Sequence, residues 1–205
     1  MKAKQTLRAL RTFSIAAFTS AVLATTATAQ IQQNARPPAD LKWEQMHVLN
    51  FNTTNFPDIG TPEEKTLLSK IWKKEINSPR DPVDGSLMLS TATIGTIQYK
   101  GGVVVLTMFN SAFSNCIQPG NGRGMVDMYA TCPLRIVRIF EGVQPTAQNL
   151  PAKFCMLDID DSHNPHEKNH DEYAFDARTG IVYLRTIQYG KVVPECNRAI
   201  QIFKG

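Results

Sequence analysis

From Gln30 onward the chain has no net charge, because 18 Lys and Arg face 18 Asp and Glu. That balance lacks the basic footprint of a nucleic-acid binder or of a protein held on an anionic membrane. The same stretch has no apolar run near the ~18 residues that a membrane-spanning helix needs. It has no C-x-x-C pair and no G-x-S-x-G elbow, which argues against a thiol redox motif and a serine hydrolase. Gly120-x-Gly122-x-Gly124 is no dinucleotide fingerprint either, since no strand-to-helix crossover frames it.

The first 29 residues are unlike the rest. Met1 to Phe13 carries Lys2, Lys4, Arg8 and Arg11 and no acid, Ser14 to Leu23 is a short apolar run, and Ala27-Thr28-Ala29 precedes Gln30. This is the layout of a cleavable secretory signal. It predicts an exported protein beginning at Gln30, soluble in the periplasm or the extracellular space. Arg8 and Arg11 are not adjacent, which argues against a twin-arginine route. Cleavage leaves 176 residues, enough for one domain with a core of its own. Residues 30–40, polar and holding Pro37-Pro38, read as a leader or linker. Residues 41–205 read as a single β-rich globular domain.

All four cysteines lie in the exported part. An even count in an oxidising compartment reads as two disulfides, with three possible pairings. Cys116–Cys132 and Cys155–Cys196 is the favoured set. The first pair would close a Gly-rich excursion, and the second would tie a central strand to the last one.

The clearest element is a helix. Thr61 is a good N-cap, Pro62 suits the first helical position, and Glu64 completes a capping box. Leu67, Leu68, Ile71, Trp72 and Ile76 follow helical spacing, with Lys65, Lys70, Lys73 and Lys74 on the other side and Asn77-Ser78-Pro79 as the stop. From Gly85 onward the pattern changes. Residues 87–99, 103–109, 125–130, 134–140, 154–159, 181–189 and 199–203 are rich in β-branched and aromatic residues and are separated by turn signals. Thr96-Ile97-Gln98-Tyr99-Lys100-Gly101 echoes Thr186-Ile187-Gln188-Tyr189-Gly190-Lys191, and both read as hairpins built around glycine. Arg135 and Arg138 read as arginines pointing outward from a strand. The predicted fold is therefore α+β, mainly antiparallel sheet, with one amphipathic helix near the mature N-terminus and two disulfide staples.

Residues 158–176 hold seven of the 18 acids, three of the four histidines, and Lys168 as their one base. Composition makes this a polar loop between strands. Within it stands His166-Glu167-Lys168-Asn169-His170. On a helix, histidines four apart share a face and can share a zinc, while the glutamate polarises a metal-bound water. The five residues resemble the H-E-x-x-H signature of zincin metalloproteases. That resemblance implies zinc ligands at His166 and His170 and a general base at Glu167, with His163 or Asp176 as a third ligand. The flanks offer no apolar back face to brace such a helix, and Asn164-Pro165 make a helix start of their own.

The favoured function is a non-catalytic binding or structural component of the envelope or extracellular space, with a protein partner there and no nucleic acid. A zinc-dependent hydrolase, or a non-catalytic divalent-metal protein using His163, His166 and His170, is the alternative.

Overall fold

The structure, a computed structural model, describes residues 31–33, 36–52, 60–78, 80–111, 116–117, 129–157 and 169–203. The signal segment lies outside them, as do the Gly120–Gly124 turn and His163, His166 and Glu167.

The helix begins as its sequence dictates. The Thr61 side chain accepts from Glu64 N–H, and the Glu64 carboxylate accepts from Thr61 N–H at 2.8 Å. These two bonds satisfy backbone donors that the first helical turn cannot. α1 runs Pro62–Ile71, and α2 runs Lys73–Asn77. The expected single helix is thus broken at Trp72, whose indole is anchored below: Nε1 donates to Thr107 Oγ1 at 2.9 Å, and the ring stacks on Phe109 at 5.2 Å.

The strands are β1 (Ile31–Gln33), β2 (Glu44–Gln45), β3 (His47–Phe51), β4 (Ser90–Tyr99), β5 (Gly102–Ser111), β6 (Tyr129–Phe140), β7 (Thr146–Leu157), β8 (His170–Asp176), β9 (Ile181–Gln188), β10 (Lys191–Val192) and β11 (Arg198–Gln201). All strand pairings among the described residues are antiparallel, so the α+β, mainly β architecture holds. One sheet has the order β3-β4-β5-β6-β7; the other is β1-β11-β9-β8-β2, with β10 also on β9. We call them the helix-side sheet and the strap-side sheet.

Two-residue alternation explains the layering. In β5, Val104, Leu106 and Met108 point into a core shared with Val182, Leu184 and Ile200 of the other sheet. Val105 and Phe109 point the opposite way, onto Leu68, Trp72 and Ile76 of the helices. The helix-side sheet is therefore buried on both faces. Its near-continuous apolar strands, such as Val103–Phe109, follow from that position.

Four readings from sequence change here. Ile31–Gln33 is an edge strand paired with β11, not a loose leader. Residues 129–130 and 134–140, read as parts of two separate runs, lie on one strand with an irregularity between Pro133 and Arg135, and residues 125–128 lie outside the described residues. β5 pairing begins at Leu134, so the missing Pro133 N–H costs no bond on that side. β8 occupies the end of the supposed acidic loop, with Tyr173 and Phe175 packed on the core. Arg135 and Arg138 do not point to solvent: Arg135 is stacked 3.7 Å over Trp72 and bonded to Ile71 O and Glu75, while Arg138 is half-buried and donates to Ile202 O.

The glycine echo is a shared turn geometry. Lys100-Gly101 and Tyr189-Gly190 each close a two-residue hairpin with positive φ at both positions (46° and 75°; 51° and 71°). This is the turn whose twist matches paired strands. The cysteines pair as Cys116–Cys132 and Cys155–Cys196, the set favoured from their order in the chain. No described helix is long and apolar enough to cross a membrane.

Candidate functional site

β1 and β2 lie at opposite edges of the strap-side sheet, so the chain joining them has to cross β11, β9 and β8. Four strand spacings are about 19 Å, well within reach of the ten linking residues. The inner face of that sheet is filled by the core, and residues 36–43 pass over the outer one as a strap. Asp40 holds the strap to Arg178, in the β8–β9 turn, at 3.2 Å. Trp43 closes its far end by lying against Arg185, whose guanidinium carbon is 3.8 Å from the ring centroid.

Arg185 faces outward because its neighbours Leu184 and Thr186 face in. It sits opposite Glu172 in the β8–β9 register, and its Nε donates to Glu172 Oε2 at 2.5 Å. Glu172 Oε1 in turn lies 2.9 Å from His170 Nε2. The guanidinium plane is thus fixed twice, by the indole beneath it and by the carboxylate at its Nε edge. The two terminal nitrogens of Arg185 make no bond among the described residues.

Beside this stack lies a groove of about 210 Å³, lined by Pro37, Trp43, Tyr183, Arg185, Val192 and Arg198, with Leu184 and Asn197 completing it. Among the described residues the lining includes two arginines and no acidic residue. Burial pulls the Arg198 guanidinium down from its ordinary value, and its Nη1 donates to the carbonyls of Glu195 and Asn197. A second cavity, beside Asp171, Thr186 and the Cys155–Cys196 bridge, has only about 10 Å³. That is no more than one water requires. Asp171 is a structural carboxylate there, accepting from Thr186 Oγ1 at 2.6 Å and Leu157 N at 3.1 Å.

Of the proposed zinc residues, His163, His166 and Glu167 lie outside the described residues. His170 opens β8 rather than standing on a helix, and its Nε2 is engaged by Glu172. Asp176 ends the same strand, six residues away, or about 20 Å along an extended chain. It accepts from Arg178 Nε at 2.9 Å, and that bond holds its carboxyl below the ordinary range. The strand places His170 and Asp176 too far apart to share one metal ion, so Asp176 is corrected from third ligand to turn anchor. Among the described residues no cluster of three or more His, Cys, Asp or Glu could hold a metal.

Sequence reading missed Trp43 and Arg185 as a pair. The one signal for Arg185 was a lone cation in the apolar strand Ile181–Gln188. No family model matches this chain, and no curated protein or solved structure is significantly similar to it.

Proposed function

We propose that this protein is an exported, non-catalytic binding protein of the periplasm or extracellular space, and that the strap and its groove are the contact surface. Three observations support the reading. The first 29 residues have the layout of a secretory signal. Both disulfides are of the kind that persists in oxidising compartments. The observation that carries it is the groove: a concave, mixed aromatic and cationic surface on a face that no further sheet or helix among the described residues covers. A rigid two-sheet scaffold presents that surface with its arginine already oriented.

The experiment is native mass spectrometry of the protein exported through its own signal and purified without chelator. The expected result is a chain starting at Gln30, four protons lighter than the reduced form, carrying a non-covalent companion that the Trp43→Ala variant loses. A folded, oxidised chain that never carries a companion overturns the binding reading. A chain bearing one zinc and hydrolysing peptide bonds replaces it with the zinc-hydrolase reading.

A further inference from the structure

We infer that the strap groove is a site for a small organic carboxylate with an apolar, planar body, the carboxylate sitting on the terminal nitrogens of Arg185. The inference rests on the binding reading above and specifies its ligand.

The chemistry follows from how Arg185 is held. A guanidinium has five N–H donors in a rigid fork, and carboxylates match two of them at a time. Nε is committed to Glu172, which leaves the end-on pair, Nη1 and Nη2, without a bond among the described residues. Stacking on Trp43 at 3.8 Å removes the rotational freedom that a free arginine would lose on binding. A phosphate would be recognised equally well by the fork alone, so the rest of the lining decides. Trp43, Tyr183, Val192 and Pro37 supply apolar and aromatic surface. Such surface rewards a ligand whose anionic end carries a hydrophobic body.

Charge and size narrow the class further. Arg185 and Arg198 both line the groove, and Glu172 offsets only the first. Among the described residues the lining therefore keeps an excess positive charge, which complements one carboxylate. Its 210 Å³ is below the ~300–1,000 Å³ of drug-sized pockets, which fits a compact monocarboxylate better than a run of peptide.

The test uses the full exported chain and three probes: phenylacetate, its neutral amide phenylacetamide, and a short peptide ending in phenylalanine. Binding is followed by isothermal titration and by the amide and indole NMR signals of the Trp43 strap. Phenylacetate is expected to bind saturably and at least tenfold more tightly than phenylacetamide. Arg185→Gln, which stays planar but loses the charge, is expected to erase that preference, and Trp43→Phe to weaken binding while keeping it. Equal binding of acid and amide, or no binding of either, overturns the inference. A peptide bound tenfold more tightly than phenylacetate also overturns it, in favour of a protein C-terminus. If phenylacetate fails while the exported protein still carries a companion that Trp43→Ala loses, the binding reading stands and only this ligand class falls.

Discussion

The ring of Tyr173 fills the space that a side chain at Gly95 would need. A methyl group built on Gly95 would lie 2.8 Å from two carbons of that ring. Gly95 belongs to β4 and Tyr173 to β8, so this is a contact between the two sheets. The ring cannot swing aside cheaply, because its hydroxyl lies 2.9 Å from both Thr96 O and Glu44 Oε2. Gly95→Ala is therefore expected to force the sheets apart or tilt the ring, costing about 1–3 kcal/mol as overpacking does. Urea unfolding should show a lower midpoint at unchanged slope. A variant as stable as the parent would mean that the sheets can separate freely here.

The same tyrosine sets an alkaline limit on stability. Burial, and then the hydrogen bond to Glu44, raise its pKa from 10.0 to about 12. The neutral phenol is thus favoured in the folded state. Its contribution is fully present below pH 10 and is lost as pH rises toward 12, because the unfolded chain gives up that proton first. The melting temperature should fall across that window, and Tyr173→Phe should fall less. At the acid end the sign reverses. The Glu44 carboxyl is held below its ordinary value chiefly by the Tyr173 hydroxyl, and Asp176 chiefly by Arg178. Their contributions are present above the ordinary carboxylate range and are lost as pH drops through it. A flat stability profile at both ends would remove these bonds from the account.

Arg135 pins the helices to the sheet. It lies 3.7 Å over Trp72 and donates to Ile71 O and to Glu75 Oε1, both at 2.7 Å, and to Asn149 of β7. Arg135→Ala removes a stacked, charge-assisted clamp, at an expected cost of about 2 kcal/mol. Arg135→Lys should recover less than half of it, since an ammonium can neither stack flat nor fork. Near-UV circular dichroism should report the loosened Trp72 before global unfolding does. Full recovery by lysine would show that charge alone holds the helices.

What could be read from sequence was local. The capping box at Thr61 and Glu64 involves residues three apart, and the two glycine turns are fixed by four residues each, so both were legible. β8 was not, because its outward residues His170, Glu172 and Asp176 disguised the inward Tyr173 and Phe175. The charge that broke the pattern, Asp171, is tolerated inward only because Thr186 and the Leu157 N–H meet it there. Those partners lie 14 and 15 residues away along the chain. β1 and β2, with three and two residues, are too short to show any period. Arg135 was misplaced for a related reason: one-dimensional alternation identifies two faces of β6 but not that α1 and α2 cover the second. The candidate site suffers most, since Trp43 and Arg185 meet only once the strap has crossed the strap-side sheet.

The two disulfides should not be equivalent. Cys155–Cys196 spans 41 residues and Cys116–Cys132 spans 16. By loop-closure entropy they stabilise by about 4 and about 3 kcal/mol, a small difference. Packing widens it. Cys155 and Cys196 are both buried with Tyr129 and Leu157, and they join β7 of one sheet to the turn before β11 of the other. Cys116 is only partly buried, and its bridge to Cys132 stays on β6 within the helix-side sheet, near the Ile117–Thr131 pairing. Replacing Cys155 and Cys196 by serine would leave two hydroxyls in an apolar cluster and release the two sheets at that end. Replacing Cys116 and Cys132 would free a short loop and one buried position. The Cys155→Ser/Cys196→Ser double variant is therefore expected to lose more stability in urea than the Cys116→Ser/Cys132→Ser one. It should also show faster amide exchange in β7 and β11 together, which loss of loop entropy alone would not produce. The reverse order, or exchange confined to residues beside Cys116, would mean that the bridge between the sheets is dispensable and that their shared core holds them unaided.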